Sequence, residues 1–413
     1  MTIMSSGNGR VYLDWASASP VHPKAARAVY YALEDASGNP SASHAEGRHA
    51  NDMLTDARRK IAASLSVKPE ELLFTSGGTE ANNLAIQGSI RALHVHGMPF
   101  EKMHAVTSAV EHSSVLETFR MLESWGISVT YLTPTFDGLI SPDEVFDALR
   151  PETVLVSLAH VNSETGVILP LGDIARAISR YRERGLSIFK EQVPECAYPI
   201  FHVDAAQSPL YVECGPHTLG ADMASYDSQK VMGPKGVGML YRDFSVPLAP
   251  VLGGGTQERG LRPGTENVPG IVGAAVAFPL AKEGRKEREA RVTELRDYLI
   301  REVGKILPDA KLIGHPRRRI ANNALFALPG ADGDYLSVLM DNEGVAVSPR
   351  SACAGSGAGH SHVVYALTKD MALARGTIRF SLGPDTEESD INAAIRALAK
   401  VASLARKNPV SHL

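Results

Sequence analysis

From residue 67 to about residue 265, short runs of aliphatic and β-branched residues alternate with amphipathic stretches. The apolar runs have the length of β-strands and lie at 72–75, 105–108, 129–132, 154–159, 200–204 and 237–241. The helix-like stretches between them lie at 80–93, 114–125, 142–149 and 171–184. Strand–helix alternation of this kind predicts an α/β domain with a largely parallel sheet, in which the chemistry lies beyond the carboxyl ends of the strands.

The pattern changes after the glycine-rich run at residues 252–264. Residues 282–306 are heavily charged with helical periodicity, which predicts a long helix with a solvated face. A smaller α+β domain is predicted beyond it, from strands at 323–327, 345–348 and 377–381 and a closing helix at 387–406. The stretch 187–199, between a predicted helix and a predicted strand, is interpreted as a surface insertion.

Composition and charge disfavour several classes of protein. A chain of 413 residues with 44% hydrophobic and 21% charged residues is neither disordered nor collagen-like. The net charge of −4 disfavours a nucleic-acid partner, and three cysteines without a CxxC pair cannot build a disulfide framework or a complete cysteine zinc site. The chain opens without an apolar signal core, and its longest apolar stretch, near 271–280, is short and contains a proline. We therefore expect a cytoplasmic protein with no metal and no membrane partner.

Polar residues follow several predicted strands and should converge at one edge of the sheet. The segment FTSGGTE places Gly78 and Thr79 at the start of a helix, where backbone N–H groups favour an anion such as a phosphate, although a simple helix cap is the alternative. Asp204 closes the strand at 200–204, so its carboxylate could pair with a protonated ring nitrogen or cap the next helix. Gln207, about one turn further on, is compatible with either role.

Two lysines lie in the segment SYDSQKVMGPKGVGMLY. Lys235 stands between a proline and a glycine in a predicted turn, where a solvated position is expected. Lys230 precedes an apolar strand and is better placed to be enclosed, and an enclosed lysine can attack an aldehyde. A solvated surface lysine is the alternative for Lys230 too.

Three further side chains are candidates for a site. His112 and Asn162 each follow an apolar run, with a structural histidine and a turn asparagine as the alternatives. Arg379 lies inside a predicted strand, where a guanidinium needs an anionic partner, and a carboxylate matches its geometry. An internal salt bridge is the alternative for Arg379.

The order of these motifs resembles that of the cysteine desulfurases, which are pyridoxal 5′-phosphate (PLP) enzymes of fold type I in the class V aminotransferase group. The matching segments cover nearly the whole chain and are YLDWASASP, GNPSASH, FTSGGTEANNLAI, EHSSVLET, HVNSETGV, HVDAAQS, GPKGVGMLY, GGGTQERGLRPGTENV, SACAGSG and IRFSLG. The resemblance implies a large PLP-binding α/β domain over residues 22–266 and a small α+β domain formed by residues 1–21 and 267–413.

The resemblance also implies a role for each candidate side chain. Lys230 would hold PLP covalently, Asp204 would hold its pyridinium nitrogen, and His112 would stack on its ring. Asn162 and Gln207 would contact the oxygen atoms on the ring. Gly78 and Thr79, together with the partner subunit's Thr265, would bind the phosphate. Arg379 and Asn162 would bind the substrate carboxylate. Because the role of Thr265 needs a second subunit, a homodimer is expected.

Cys353, in SPRSACAGSGAGHSH, matches the nucleophile that accepts sulfur from L-cysteine as a persulfide, with release of L-alanine. The stretch 352–359 contains only alanine, serine, glycine and Cys353 itself, so we expect it to be mobile and able to pass sulfur onward. Its length resembles the long-loop branch of the family, whose members pass sulfur to iron–sulfur scaffolds or thiolation carriers. Cys196 and Cys214 fall outside the matched motifs and are interpreted as incidental.

Two positions depart from the family pattern. Gln229 stands immediately before the lysine, where a histidine is usual, and cannot transfer a proton by titrating. Asp227 stands where a serine is usual, and a carboxylate beside a phosphate would repel it unless it is turned away or protonated. The chain also ends soon after its last predicted helix, so we expect the extended scaffold-docking tail of the family to be absent or shortened.

These departures keep two alternatives open. One is a related PLP-dependent lyase or aminotransferase, for instance a selenocysteine lyase. The other is a non-catalytic protein of the PLP fold that binds a sulfur-handling partner. Lys230 and Cys353 speak against the second alternative, because a site without catalysis needs neither.

Overall fold

A computed structural model describes residues 10–189, 193, 195–350 and 359–407. Cys353 and part of the stretch 187–199 lie outside the described residues. The strands are β1 (Val11–Tyr12), β2 (Leu72–Thr75), β3 (His104–Ser108), β4 (Ser128–Leu132), β5 (Thr153–Ala159), β6 (Ile200–Asp204), β7 (Met223–Asp227), β8 (Gly238–Arg242), β9 (Lys311–Leu312), β10 (Asn323–Ala327), β11 (Val345–Ala346) and β12 (Thr377–Ser381).

The α-helices are α1 (Pro23–Asp35), α2 (Ala45–Leu65), α3 (Gly78–Val95), α4 (Ser113–Ser124), α5 (Pro142–Ala148), α6 (Leu171–Glu183), α7 (Pro216–Leu219), α8 (Val268–Lys282), α9 (Arg285–Ile306), α10 (Gly333–Asn342), α11 (His362–Thr368), α12 (Met371–Arg375) and α13 (Glu388–Lys407). A short 3₁₀ helix, Ser228–Lys230, follows β7.

Seven strands form the central sheet in the order β2-β8-β7-β6-β5-β3-β4. All neighbouring pairs are parallel except the two that involve β8, which runs antiparallel to β2 and to β7. Strands β2, β3 and β7 are buried along their whole length, and β5, β6 and β8 are buried up to their last residue, because helices cover both faces. The prediction of an α/β fold with a mainly parallel sheet is confirmed.

Helices α1 and α2 both pack against α8. The sequence pattern did not predict α1 and α2, because neither helix is strongly apolar. They begin after His22 and His44, and a ring nitrogen of each histidine accepts a backbone N–H of the first turn. Helix α8 contains the apolar stretch near residues 271–280 and is buried on most sides. Within the described residues, no helix is both long and apolar enough to cross a membrane.

The segment before α1 joins the C-terminal part of the chain. Strand β1 pairs with β11, and Asp14 bridges to Ser381 at the end of β12. Strands β12, β10 and β9 form a separate antiparallel sheet, which α10 and α9 contact, and α13 packs against these two helices and against β1 and β11. The division into residues 22–266 and residues 1–21 with 267–413 stays a prediction.

The interpretation of residues 187–199 as a surface insertion needs correction. Phe189, Cys196 and Tyr198 are buried and belong to the same hydrophobic cluster as Ile200 and Met223. Their apolar and aromatic side chains explain the difference, since such groups gain stability when packed under a loop. The described part of this stretch is therefore anchored to the edge of the core.

Candidate active site

A pocket opens beyond the carboxyl ends of β5, β6 and β7, beside the first turn of α3. It brings together every described side chain that the sequence singled out for a site except Thr265. These residues are Gly78, Thr79, His112, Asn162, Asp204, Gln207, Asp227, Gln229, Lys230 and Arg379. Their convergence follows from the parallel order of the strands, which places the polar strand ends at one edge of the sheet.

Lys230 ends the 3₁₀ helix that follows β7 and reaches the pocket half-buried. Its Nζ donates to the carbonyl oxygens of Ala16 at 2.8 Å and Ser17 at 2.6 Å. Lys235 is exposed, so the preference for Lys230 as the enclosed lysine agrees with this geometry. The part played by Ala16 and Ser17 was missed, although both lie in the segment YLDWASASP.

Asp204 lies at the end of β6 and its carboxylate is fixed by two donors. Oδ1 accepts the backbone N–H of Ala206 at 3.0 Å, and Oδ2 accepts the Nδ2 of Asn82 at 2.8 Å. Asn82 is buried and also donates to Ser114 Oγ at 2.9 Å. Sequence reasoning missed Asn82, but its position three residues after Thr79 on α3 puts both residues on the same helix face.

His112 and Asn162 each hold local structure and also line the pocket. The Nδ1 of His112 accepts the Ser114 backbone N–H at 3.1 Å, so the histidine caps α4. The Oδ1 of Asn162 accepts the backbone N–H of Thr165 at 2.8 Å, and its Nδ2 donates to Val110 O at 2.8 Å. An amide NH₂ group carries two protons, so Asn162 can still donate into the pocket.

Arg379 lies in β12 and lines the pocket. Its guanidinium pairs with Asp14 Oδ1 at 3.0 Å and donates to Ser17 Oγ at 2.7 Å and Ser163 O at 2.7 Å. The internal salt bridge considered as an alternative is therefore present. Arg379 also lines the pocket, and its three contacts use three of the five N–H donors, so they do not exclude binding of a carboxylate.

Asp227 is directed toward the first turn of α3. Its Oδ2 accepts the backbone N–H of Gly78 at 3.2 Å and the Nε2 of Gln229 at 3.0 Å, while Oδ1 accepts the backbone N–H of Gln229 at 3.1 Å. The two positions that depart from the family pattern therefore contact each other. The carboxylate is not turned away from the predicted phosphate position.

Glu111, next to His112, is a buried carboxyl group that sequence reasoning missed. Burial is the main reason why its pKa is raised to about 7, and Ser108 Oγ donates to its Oε1 at 2.6 Å. The only sequence signal was its place after β3 in the segment AVEHSSV. Its carboxyl group therefore changes protonation near neutral pH.

Within the described residues, Cys196, Cys214 and Thr265 do not line the pocket. Cys196 and Cys214 are buried free thiols, and burial raises the pKa of each to about 12. Cys353 lies outside the described residues. Thr265 is exposed and does not line the pocket of its own chain, so its assignment to the partner's phosphate site stays a prediction.

Comparison with known proteins identifies the family of this chain and relatives that share its sequence. The family model "Aminotransferase class-V" matches residues 11–394. "Cysteine desulfurase IscS" of Dictyoglomus turgidum is 38% identical over 391 residues, which cover 95% of this chain and 94% of the relative.

Two solved structures share the fold. A "NIFS-LIKE PROTEIN" has a TM-score of 0.83 and 31% identity, over 96% of this chain and 100% of the other. A structure described as "SspA in complex with cysteine" has a TM-score of 0.74 and 32% identity, over 91% and 99% of the two chains. The chain therefore belongs to the class-V aminotransferase family, and within it to the cysteine desulfurases.

Proposed function

We propose that this chain is a PLP-dependent cysteine desulfurase. The observation that carries the proposal is the convergence of Lys230 Nζ, the Asp204 carboxylate and the Arg379 guanidinium in one pocket. In the overall reaction the C–S bond of L-cysteine breaks, the sulfur atom joins the sulfur of Cys353 as a persulfide, and L-alanine leaves. The two thiol protons are conserved, one in alanine and one on the persulfide.

The residues of the pocket fit PLP at the ring end. Lys230 offers an amine for the aldehyde, Asp204 offers a carboxylate for the protonated ring nitrogen, and His112 offers an aromatic face. Two hydrogen bonds hold the Asp204 carboxylate in place, so the negative charge is fixed before any ligand arrives. When bound, PLP would supply an electron sink for charge that develops at the substrate Cα.

The remaining steps are assigned to the protein's own groups. Arg379 binds the substrate carboxylate through its planar guanidinium, which matches that geometry. Lys230 Nζ takes the proton from the substrate Cα, because Gln229 beside it cannot titrate. Asn162 and Gln207 orient polar atoms of the cofactor or substrate, and Gly78 and Thr79 offer N–H and hydroxyl donors to the phosphate.

Cys353 is the sulfur acceptor in this proposal. The other two cysteines are poor candidates because their buried thiols have pKa values raised to about 12, so almost no reactive thiolate forms near neutral pH. Their free thiols are also compatible with a reducing compartment such as the cytoplasm. The next acceptor would be a protein of the iron–sulfur or thiolation type.

The experiment combines colour, product and labelling. Purified protein supplied with PLP should absorb visible light, convert L-cysteine to alanine and, with a reductant, release sulfide. Lys230→Ala should abolish all three, whereas the matched control Lys235→Ala should leave them unchanged. Borohydride reduction should attach a pyridoxyl group to Lys230, and its absence in PLP-saturated protein would overturn the proposal.

Cys353→Ser separates cysteine desulfuration from related reactions. It should keep the visible absorbance but lose sulfide release, and full sulfide release would refute the persulfide role. Because Gln229 is held by Asp227 and cannot titrate, a related PLP-dependent lyase or aminotransferase is the second candidate. Faster turnover of selenocysteine or alanine than of cysteine would favour that candidate. A colourless protein would favour a non-catalytic role.

A further inference from the structure

Asp227 lies in the part of the pocket where a phosphate would be bound. The backbone N–H of Gly78, at the first turn of α3, donates to Asp227 Oδ2 at 3.2 Å. Free N–H groups and the helix dipole make such a helix start attractive to an anion. In this chain the anion already present is a side chain of the protein.

The carboxylate is held in this position by its own neighbourhood. Gln229 donates twice, from its backbone N–H to Oδ1 at 3.1 Å and from Nε2 to Oδ2 at 3.0 Å. Asp227 is only 7% exposed, so water screens its charge poorly. The space is also tight, because a Cβ placed on Gly78 would stand 3.3 Å from Asp227 Oδ2.

We propose that Asp227 acts as a built-in competitor of the cofactor phosphate and thereby sets how tightly this chain holds PLP. This inference rests on the proposed function. A phosphate bound at the start of α3 shares the Gly78 N–H with the carboxylate and carries a charge of the same sign. Like charges in a poorly screened site disfavour each other, so phosphate binding is weakened while binding of the ring is not.

The competition predicts a specific pattern of affinity. Pyridoxal has the ring and aldehyde of PLP but no phosphate, so it does not meet Asp227. Removal of the carboxylate charge should therefore improve binding of PLP and leave binding of pyridoxal nearly unchanged. A general change in the pocket would instead alter both affinities together.

The test measures dissociation constants for PLP and pyridoxal by absorbance titration of wild type, Asp227→Asn and Asp227→Ser. Asparagine keeps one side-chain oxygen, which can accept the Gln229 backbone N–H as Asp227 Oδ1 does, so this variant retains the cap if serine does not fold. Both variants should bind PLP on the order of ten-fold or more tightly, with pyridoxal affinity within about three-fold of wild type. Asp332→Asn is the matched control, because Asp332 also caps a helix and lies outside the pocket.

Each outcome decides the inference. Equal or weaker PLP binding by folded Asp227→Asn would overturn it, as would an equal gain for pyridoxal or an equal gain in Asp332→Asn. Borohydride labelling at Lys230 keeps this result distinct from the proposed function. If borohydride labels Lys230 in every protein and all of them have the same dissociation constant for PLP, only the inference fails. If no protein is labelled, both fail.

Discussion

Arg379 has 1% of its side chain exposed and donates to Asp14, Ser17 and Ser163, three groups of the pocket wall and the N-terminal segment. A buried guanidinium needs such partners, because an unpaired charge in a poorly solvated site is costly. Two of its five N–H donors are not used by these contacts and can serve a substrate carboxylate. In the proposed reaction Arg379 therefore serves both the fold and the substrate.

Replacement of Arg379 by lysine should raise the KM for L-cysteine by about ten-fold or more, because an ammonium does not reproduce the planar set of donors that a guanidinium offers to the fold and to a carboxylate at once. Steady-state alanine production measures the change. Arg296→Lys is the control, since Arg296 is another buried arginine that does not line the pocket. An unchanged KM in Arg379→Lys, or an equal rise in Arg296→Lys, would contradict the carboxylate role.

At the scale of elements, the turn between β2 and α3 depends on close contact with β8. Strand β8 pairs antiparallel with β2 and ends its pairing at Thr75 and Gly238. A Cβ placed on Gly238 would lie 2.3 Å from the backbone carbon of Gly77. Backbone atoms cannot shift cheaply at that distance, so a glycine is required where the strand supports the start of α3.

Gly238→Ala should therefore lower the free energy of unfolding by about 1–3 kcal/mol. Urea unfolding followed by circular dichroism gives this value. Gly304→Ala is the matched control, because its Cβ would meet nothing within 4 Å on an exposed helical face. That control should gain up to about 1 kcal/mol, as is usual for an alanine in a helix. Equal stability of the two variants would argue against the close contact.

Three buried histidines make the whole molecule sensitive to acid. Burial lowers the pKa of His104 and His160 to about 4 and of His202 to about 3. Their partners are hydroxyl groups, for example Ser157 and Ser225 beside His202, which suit a neutral ring. In the unfolded chain each ring regains its ordinary pKa of about 6.5.

The free energy of unfolding should fall steadily as the pH drops from about 6.5 to about 4, because the unfolded chain binds more protons in that window. Glu111 opposes this trend, since its raised pKa of about 7 makes the folded state bind the extra proton. Three histidines outweigh one carboxyl group, so the net slope should be positive. Urea unfolding at a series of pH values tests this, and a flat or inverted profile would refute it.

A second prediction for the whole molecule concerns assembly. Thr265 is exposed and outside the pocket of its own chain, so a role at the phosphate needs another subunit. Thr265→Ala should weaken PLP binding by roughly ten-fold, the loss typical of a hydrogen bond to a charged group. Mixing Thr265→Ala protein with Lys230→Ala protein should restore tight PLP binding at a fraction of the sites. In a mixed dimer, one site combines Lys230 from the first variant with Thr265 from the second. Failure to restore any would exclude shared sites.

The chain's own pattern predicted the fold class, the motifs at the carboxyl edge and six of the seven strands of the central sheet, all except β7. These features can be read from short stretches of sequence. A strand that is buried on both faces needs a continuous apolar run, and a polar residue marks the point where that run ends. Strands β10 and β12 lie at the predicted residues 323–327 and 377–381, and α9 lies within the predicted charged helix. Local sequence also favoured Lys230 over Lys235, because Lys230 precedes an apolar strand whereas Lys235 lies between a proline and a glycine.

Tertiary structure alone decided which groups meet. No spacing along the chain brings the carbonyl groups of Ala16 and Ser17 to Lys230, or Asp14 to Arg379, because those contacts join segments more than 200 residues apart. The burial of Phe189 and Tyr198 and the direction of the Asp227 carboxylate likewise depend on neighbours from distant elements. Side-chain direction and burial arise from packing, which a one-dimensional pattern does not contain.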